Sequence, residues 1–126
     1  MKFRRCILMF LIPSICLSQS NSFDSLKKLL PTLEVRSRID CLNKLSAGYY
    51  INVLSETYRN VQTDTAIWFA LQADNESVKI DYDKGIAEAL LNFGEIARYR
   101  NDFSAAENYL LQSIPMFEKI QIRFGY

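Results

Sequence analysis

Slid along itself without gaps until Ala47 lies over Ala87, the chain matches itself. Residues 47–86 then lie over 87–126 with eight identities: Ala47/Ala87, Asn52/Asn92, Ala66/Ala106, Leu71/Leu111, Gln72/Gln112, Lys79/Lys119, Ile80/Ile120 and Gly85/Gly125. Apolar character also recurs at Tyr50/Leu90, Ile51/Leu91, Val53/Phe93 and Phe69/Tyr109. A period of roughly 20 to 50 residues marks a stack of small units, none of which buries its apolar face alone. A chain built this way folds as an array, and its function belongs to a surface that several units share.

The unit is helical. Four Gly and three Pro in 126 residues are too few to punctuate a turn-dense β-sandwich. No segment shows the strict apolar alternation of a half-buried strand. The pattern predicts helices over about 23–30, ending before Pro31, and about 33–60. Thr63-Asp64 is expected to cap a helix over about 65–80, Asp83 one that runs to about residue 100, and Asp102 a last one over about 103–121. The expected fold class is therefore all-α, an α-solenoid of antiparallel helix pairs. Residues 19–46 read as a helical lead-in, 47–86 as a first unit and 87–126 as a second.

The first eighteen residues read as a cleaved export signal. Lys2, Arg4 and Arg5 precede the apolar run from Cys6 to Ile12, Pro13 ends that run, and Cys16 and Ser18 supply the small residues of a cleavage site. The apolar run is shorter than the ~20 residues that span a bilayer. No further membrane contact is expected, and the expected destination is periplasmic or extracytoplasmic. Cleavage after Ser18 leaves Cys41 as the single cysteine, which cannot form an internal disulfide, so packing alone must hold the fold.

Composition narrows the function classes further. The net charge is +1, and without the three basic residues of the signal the balance is 12 basic to 14 acidic residues, with no stripe to follow a phosphate backbone. Nucleic acid is not an expected partner. The chain has no histidine, which removes Ser-His and Cys-His pairs and imidazole metal sites. Asp81-Tyr82-Asp83-Lys84-Gly85 departs from a calcium loop, because the glycine comes early and a lysine stands among the would-be ligands. No cofactor and no metal are expected, and the chain is not expected to be an enzyme.

The second unit carries a pattern. Asn92-Phe93-Gly94 followed by Phe103, Ala106 and Leu110 resembles the tetratricopeptide repeat, with Asn101 at the turn glycine and Ala97 where that family prefers tyrosine. The first unit keeps Asn52, Ala66, Ala70 and Ala73, with Leu54 at the small position of its first helix. The long period, about 40 residues per helix pair, and the stretch from Lys84 to Leu90 are similar to the exported repeat regions of bacterial sensor histidine kinases and related regulators. The resemblance implies a module that binds a protein or peptide in signal transduction.

The site follows from the same comparison. On the helix from Asp83, Leu90, Phe93, Gly94 and Ala97 cluster on one side as packing residues. Gly94, Ala97, Ala66 and Ala106 are the small residues that let helices cross closely. Glu88, Asn92, Glu95 and Tyr99 form the opposite side, which in the repeat family lines a concave groove. Asn52, Ser55 and Arg59 are their counterparts in the first unit. Ile51 and Ser55 stand where the family's carboxylate clamp needs Lys and Asn, so a C-terminal carboxylate is not the expected ligand. The aromatics Trp68, Phe69, Tyr109 and Phe117 are expected to pack between helices. The array is expected either to continue past Tyr126 or to cover its open flank with a second copy, which makes a self-associating scaffold the alternative function.

Overall fold

The computed structural model describes residues 22–51 and 56–124, with side chains at 23–51 and 59–122, and contains no strand among them. Two compact units divide the chain, 1–33 and 34–126. The first holds helix α1 (Ser22–Leu29) and the 3-10 turn Leu30–Thr32, which carries Pro31 in its first positions. The second holds α2 (Val35–Ile51), α3 (Glu56–Lys79), α4 (Asp83–Tyr99) and α5 (Phe103–Phe124). The expected export signal lies outside the described residues.

Within the second unit, α2 packs on α3 and on α4, α3 also packs on α4, and α5 packs on α4. Helix α4 is thus covered from two directions. Its sequence suits that position, since the buried residues Gly85, Ala87, Ala89, Asn92, Gly94 and Ile96 are small apart from the asparagine and the isoleucine. A Cβ at Gly94 would come within 2.8 Å of Leu110 Cγ and Cδ2 on α5. One at Gly85 would strike Ser77 Oγ on α3 and lie 2.7 Å from Ile39 Cγ2 on α2. Ile39, Leu45 and Ile96 are almost wholly buried, and Ala66, Phe69, Ala70 and Ala73 turn the inner side of α3 toward them.

Two turns of one design join the later helices. Asp81 (φ 52°) follows α3 and Asn101 (φ 64°) follows α4, both in left-handed conformation. Each turn is closed by a main-chain bond of the same kind, Tyr82 N–H to Ser77 O at 2.9 Å and Asp102 N–H to Ala97 O at 2.9 Å. Positive φ is why this position favours glycine, and Asn and Asp tolerate it better than other side chains. Asn101 stands in for glycine for that reason. Asp102 caps α5 as expected, its Oδ1 accepting the Ala105 N–H at 3.2 Å.

Other expectations are corrected. Thr63 and Asp64 lie inside α3 and cap nothing. Thr63 Oγ1 donates to Arg59 O at 2.8 Å, the back-bond a buried threonine makes when no helix end is near. Asp83 is the first residue of α4. The capping position belongs to Tyr82, which makes no side-chain cap bond, while the Asp83 carboxylate meets Lys119 Nζ at 3.2 Å. The stretch expected as one helix over about 33–60 instead holds parts of two helices that pack on each other, α2 (Val35–Ile51) and the start of α3 from Glu56. Trp68 is 55% exposed, whereas its neighbour Phe69 is buried as expected.

The helix pairs also have a different register from the gapless repeat. At one crossing, Ser46 Oγ donates to Ala66 O across the α2–α3 connection. At the other, Gly94 faces the carbonyl of Ala106 between α4 and α5. Ala66 and Ala106 correspond in the gapless match, which would lay Val35 over Asn75. Helix α2 begins at Val35 but α4 begins at Asp83, well beyond Asn75. With Val35 laid over Asp83, Ser46 falls over Gly94; Leu54 lies outside the described residues. The boundary expected after residue 46 falls inside α2, whose buried residues run from Ile39 to Tyr50.

Candidate functional site

Helices α2 and α4 lie side by side, and the floor between them is polar. Asn92 Nδ2 donates to both the main-chain O and the Oδ1 of Asn43, each at 3.1 Å. Asn43 Nδ2 in turn donates to Gly85 O at 3.1 Å, and Tyr50 Oη donates to Asn92 Oδ1 at 3.1 Å. Asn43, Asn92 and Tyr50 are all buried. Burying amides without partners costs far more than the net gain of pairing them, so the network admits essentially one alignment of the two helices.

Above this floor sits a charged surface. Tyr82 Oη donates to Asp40 Oδ1 at 2.9 Å, and the Arg36 guanidinium lies 5.4 Å from the centre of the Tyr82 ring. Lys84 Nζ is 3.6 Å from Asp40 on α2 and 3.8 Å from Glu88 one turn along α4. Burial pushes the Glu88 carboxyl above the usual carboxylate range, with Asp40 adding to the shift and Lys84 and Lys44 opposing it. Burial also raises the Tyr82 phenol, reinforced by Asp40.

Toward the other end, Glu95 and Arg98 pair at 2.7 Å, and the Arg98 guanidinium lies 4.9 Å from the centre of the Tyr99 ring. Tyr99 leans on Tyr50 with ring centres 5.7 Å apart. Burial, then Glu95, then Tyr99 push the Tyr50 phenol up to about 12. Exposed Ile51 and Leu91 add apolar surface on the two helices.

The expected groove residues separate under this geometry. Glu88, Glu95 and Tyr99 lie half-buried on α4 along this face. Asn92 does not line an open groove, because its side chain is committed to Asn43 and Tyr50 beneath the surface. Arg59 is on α3, where it borders an open recess with Asn60, Asp64 and Arg100. Arg100 closes that recess, its Nε donating to Thr63 Oγ1 at 2.8 Å and its Nη2 to Asp64 Oδ1. Asn52 and Ser55 lie outside the described residues. Of the packing set, Gly94, Ala66 and Ala106 are buried and Ala97 is half-buried.

Asp40, Arg36, Lys44 and Lys84 are not among the residues expected from the sequence. The signal for them is present when α2 is laid on α4 with Val35 over Asp83, which puts Arg36 over Lys84 and Asp40 over Glu88. Among the described residues no group of three or more His, Cys, Asp or Glu side chains is placed to hold a metal ion. Compared with protein-family models, curated proteins and solved structures, the chain matches none of them.

Proposed function

We propose that the chain is a non-catalytic, tetratricopeptide-like helical-repeat module that binds an extended peptide or partner helix along the α2–α4 face. In this reading it is the extracytoplasmic, sensing part of a bacterial signal-transduction protein. The observation that carries the reading is the repeated charge pair. Arg36 and Asp40 on α2 and Lys84 and Glu88 on α4 occupy equivalent positions of their helices, and both pairs join one surface through the Asp40–Lys84 contact. A face that repeats with the helix unit presents regularly spaced donors and acceptors, which suits a ligand whose own backbone or side chains repeat. The two crossings at Ser46/Ala66 and Gly94/Ala106, and the order in which the helices pack, support the same architecture.

A peptide library displayed on phage tests the binding half of the proposal. Binders are expected to be recovered, to lose the Asp40→Lys variant and to retain a Glu107→Lys variant on α5. No enrichment, or equal loss with both variants, contradicts the assignment. The export half is tested by the mass of the protein recovered from the periplasm. A chain beginning at Gln19 is expected, and an intact Met1 there contradicts it.

A further inference from the structure

The outward side of α3 carries an unbroken heptad seam. Val61, Asp64, Trp68, Leu71, Asn75 and Val78 follow one another at alternating steps of three and four, the spacing of coiled-coil contact positions. All six are exposed, with Val61 at 65%, Trp68 at 55%, Leu71 at 45% and Val78 at 56%. The seam lies opposite the inner side of α3, where Ala66, Ala70 and Ala73 are buried toward α2 and α4. Helix α3 is thus apolar on two sides, and among the described residues of this unit other helices pack along one of them.

The seam is also symmetric about its midpoint, between Phe69 and Ala70. Read in either direction it runs apolar, polar, apolar, apolar, polar, apolar. A surface contact related by a two-fold axis requires this self-complementarity, and a contact with an unrelated partner does not. We propose that two copies of this chain associate through antiparallel α3 helices. Val61 of one copy then faces Val78 of the other, and Trp68 faces Leu71.

The polar layers reinforce the register. Asp64 faces Asn75, so an amide donor meets a carboxylate acceptor twice across the dimer. Asp64 already holds Arg100 of its own chain through Oδ1, which offsets its charge before the second copy arrives. A polar pair at a seam position penalises slipped registers, in which it would be left facing apolar side chains. Trp68 is pre-set for the contact, packed edge-on against buried Phe69 with ring centres 5.0 Å apart.

The area is sufficient. From their exposure, the four apolar seam residues leave roughly 400 Å² per copy in water, so a dimer buries about 800 Å² of them. The flanking polar residues carry the interface past the ~1,000 Å² that a specific contact needs. A bilayer surface is a poor alternative, since the seam places Asp64 and Asn75 at its centre and no basic residue within it.

Sedimentation of the purified chain tests the proposal. A dimer is expected at tens of micromolar protein. Trp68→Glu should raise the dissociation constant about thirtyfold or more, with helix content unchanged and a melting temperature that no longer rises with protein concentration. Asn75→Lys, which would pair with Asp64 of the other copy, should tighten association. Register is read by oxidative crosslinking. With Cys6→Ser and Cys16→Ser in place and Cys41 buried, Val61→Cys and Val78→Cys proteins should crosslink when mixed and neither should crosslink alone. A monomer at about 100 micromolar, a dimer indifferent to Trp68→Glu, or crosslinks within either single variant would overturn the proposal.

Discussion

Asn92 and Asn43, 49 residues apart in the chain, share two hydrogen bonds in the buried seam between α4 and α2. The pair does for helix alignment what apolar packing alone cannot. Sliding one helix along the other would leave both amides and the Tyr50 hydroxyl without partners. Asn92→Ala is expected to cost roughly 2–4 kcal/mol, because it strands Asn43 Oδ1 and the hydroxyl in the interior. Tyr50→Phe, which leaves one amide oxygen short of a donor, should cost about 1–2 kcal/mol. In a double-mutant cycle by urea unfolding, the two losses should be strongly non-additive. Additive losses would place the residues in separate environments.

Much of this organisation is legible in the amino-acid order, and what is not has identifiable causes. Helicity follows from the scarcity of Gly and Pro, the Asp102 cap from its place before Phe103, and the α4–α5 crossing from Gly94 and Ala106. The register of α2 is hidden. A gapless self-comparison aligns α3 with α5, where Ala66, Leu71 and Gln72 find identical counterparts, and carries α2 out of phase with α4. Asn52 is then matched to Asn92, and the acidic residue that matches Glu88, Asp40, is missed. A helical wheel supposes one buried side and so puts Asn92 on an open surface, whereas α4 is covered from two directions. Thr63-Asp64 fits a capping pattern equally well inside a helix, where the hydroxyl satisfies itself on the preceding turn.

The two helical glycines with tight surroundings should differ from exposed sites. Gly85→Ala puts a methyl group against Ser77, Ile39 and the Tyr82 ring at once. The expected loss is about 1–3 kcal/mol, despite the better helix propensity of alanine. Gly94→Leu should lose a similar amount through Leu110, while the exposed Glu107→Ala should change stability by less than about 0.5 kcal/mol. Thermal unfolding of the three variants ranks them. Equal shifts would mean that the two crossings are looser than their geometry indicates.

The α4–α5 turn gives a backbone test. Asn101 at φ 64° should accept glycine with little change or a small gain. Asn101→Val should lose about 1–2 kcal/mol, since a branched Cβ is strained in left-handed conformation. Identical stability of the Gly and Val variants, measured by urea unfolding, would contradict the turn.

Stability should fall at alkaline pH through Tyr50. Its phenol titrates at about 12 in the folded chain against an ordinary 10.0, so the folded state holds the proton more tightly. The resulting stabilisation is complete below about pH 10 and is lost as pH rises through about 12. Glu88 follows the same sign lower on the scale. Its raised carboxyl favours the fold at acid pH and withdraws that contribution as it ionises. Tyr50→Phe should flatten the alkaline limb, and Glu88→Gln should gain on the parent protein as the medium goes from acid to neutral. Unfolding curves that keep the parent slopes in both variants would contradict these environments.

The peptide-binding face is tested most directly by amide chemical-shift mapping with the tightest peptide recovered from a displayed library. Saturable shifts are predicted at residues 36–44 on α2 and 84–99 on α4, with residues 103–122 of α5 unmoved. Shifts centred on α5, or on the outward seam of α3, would contradict the account.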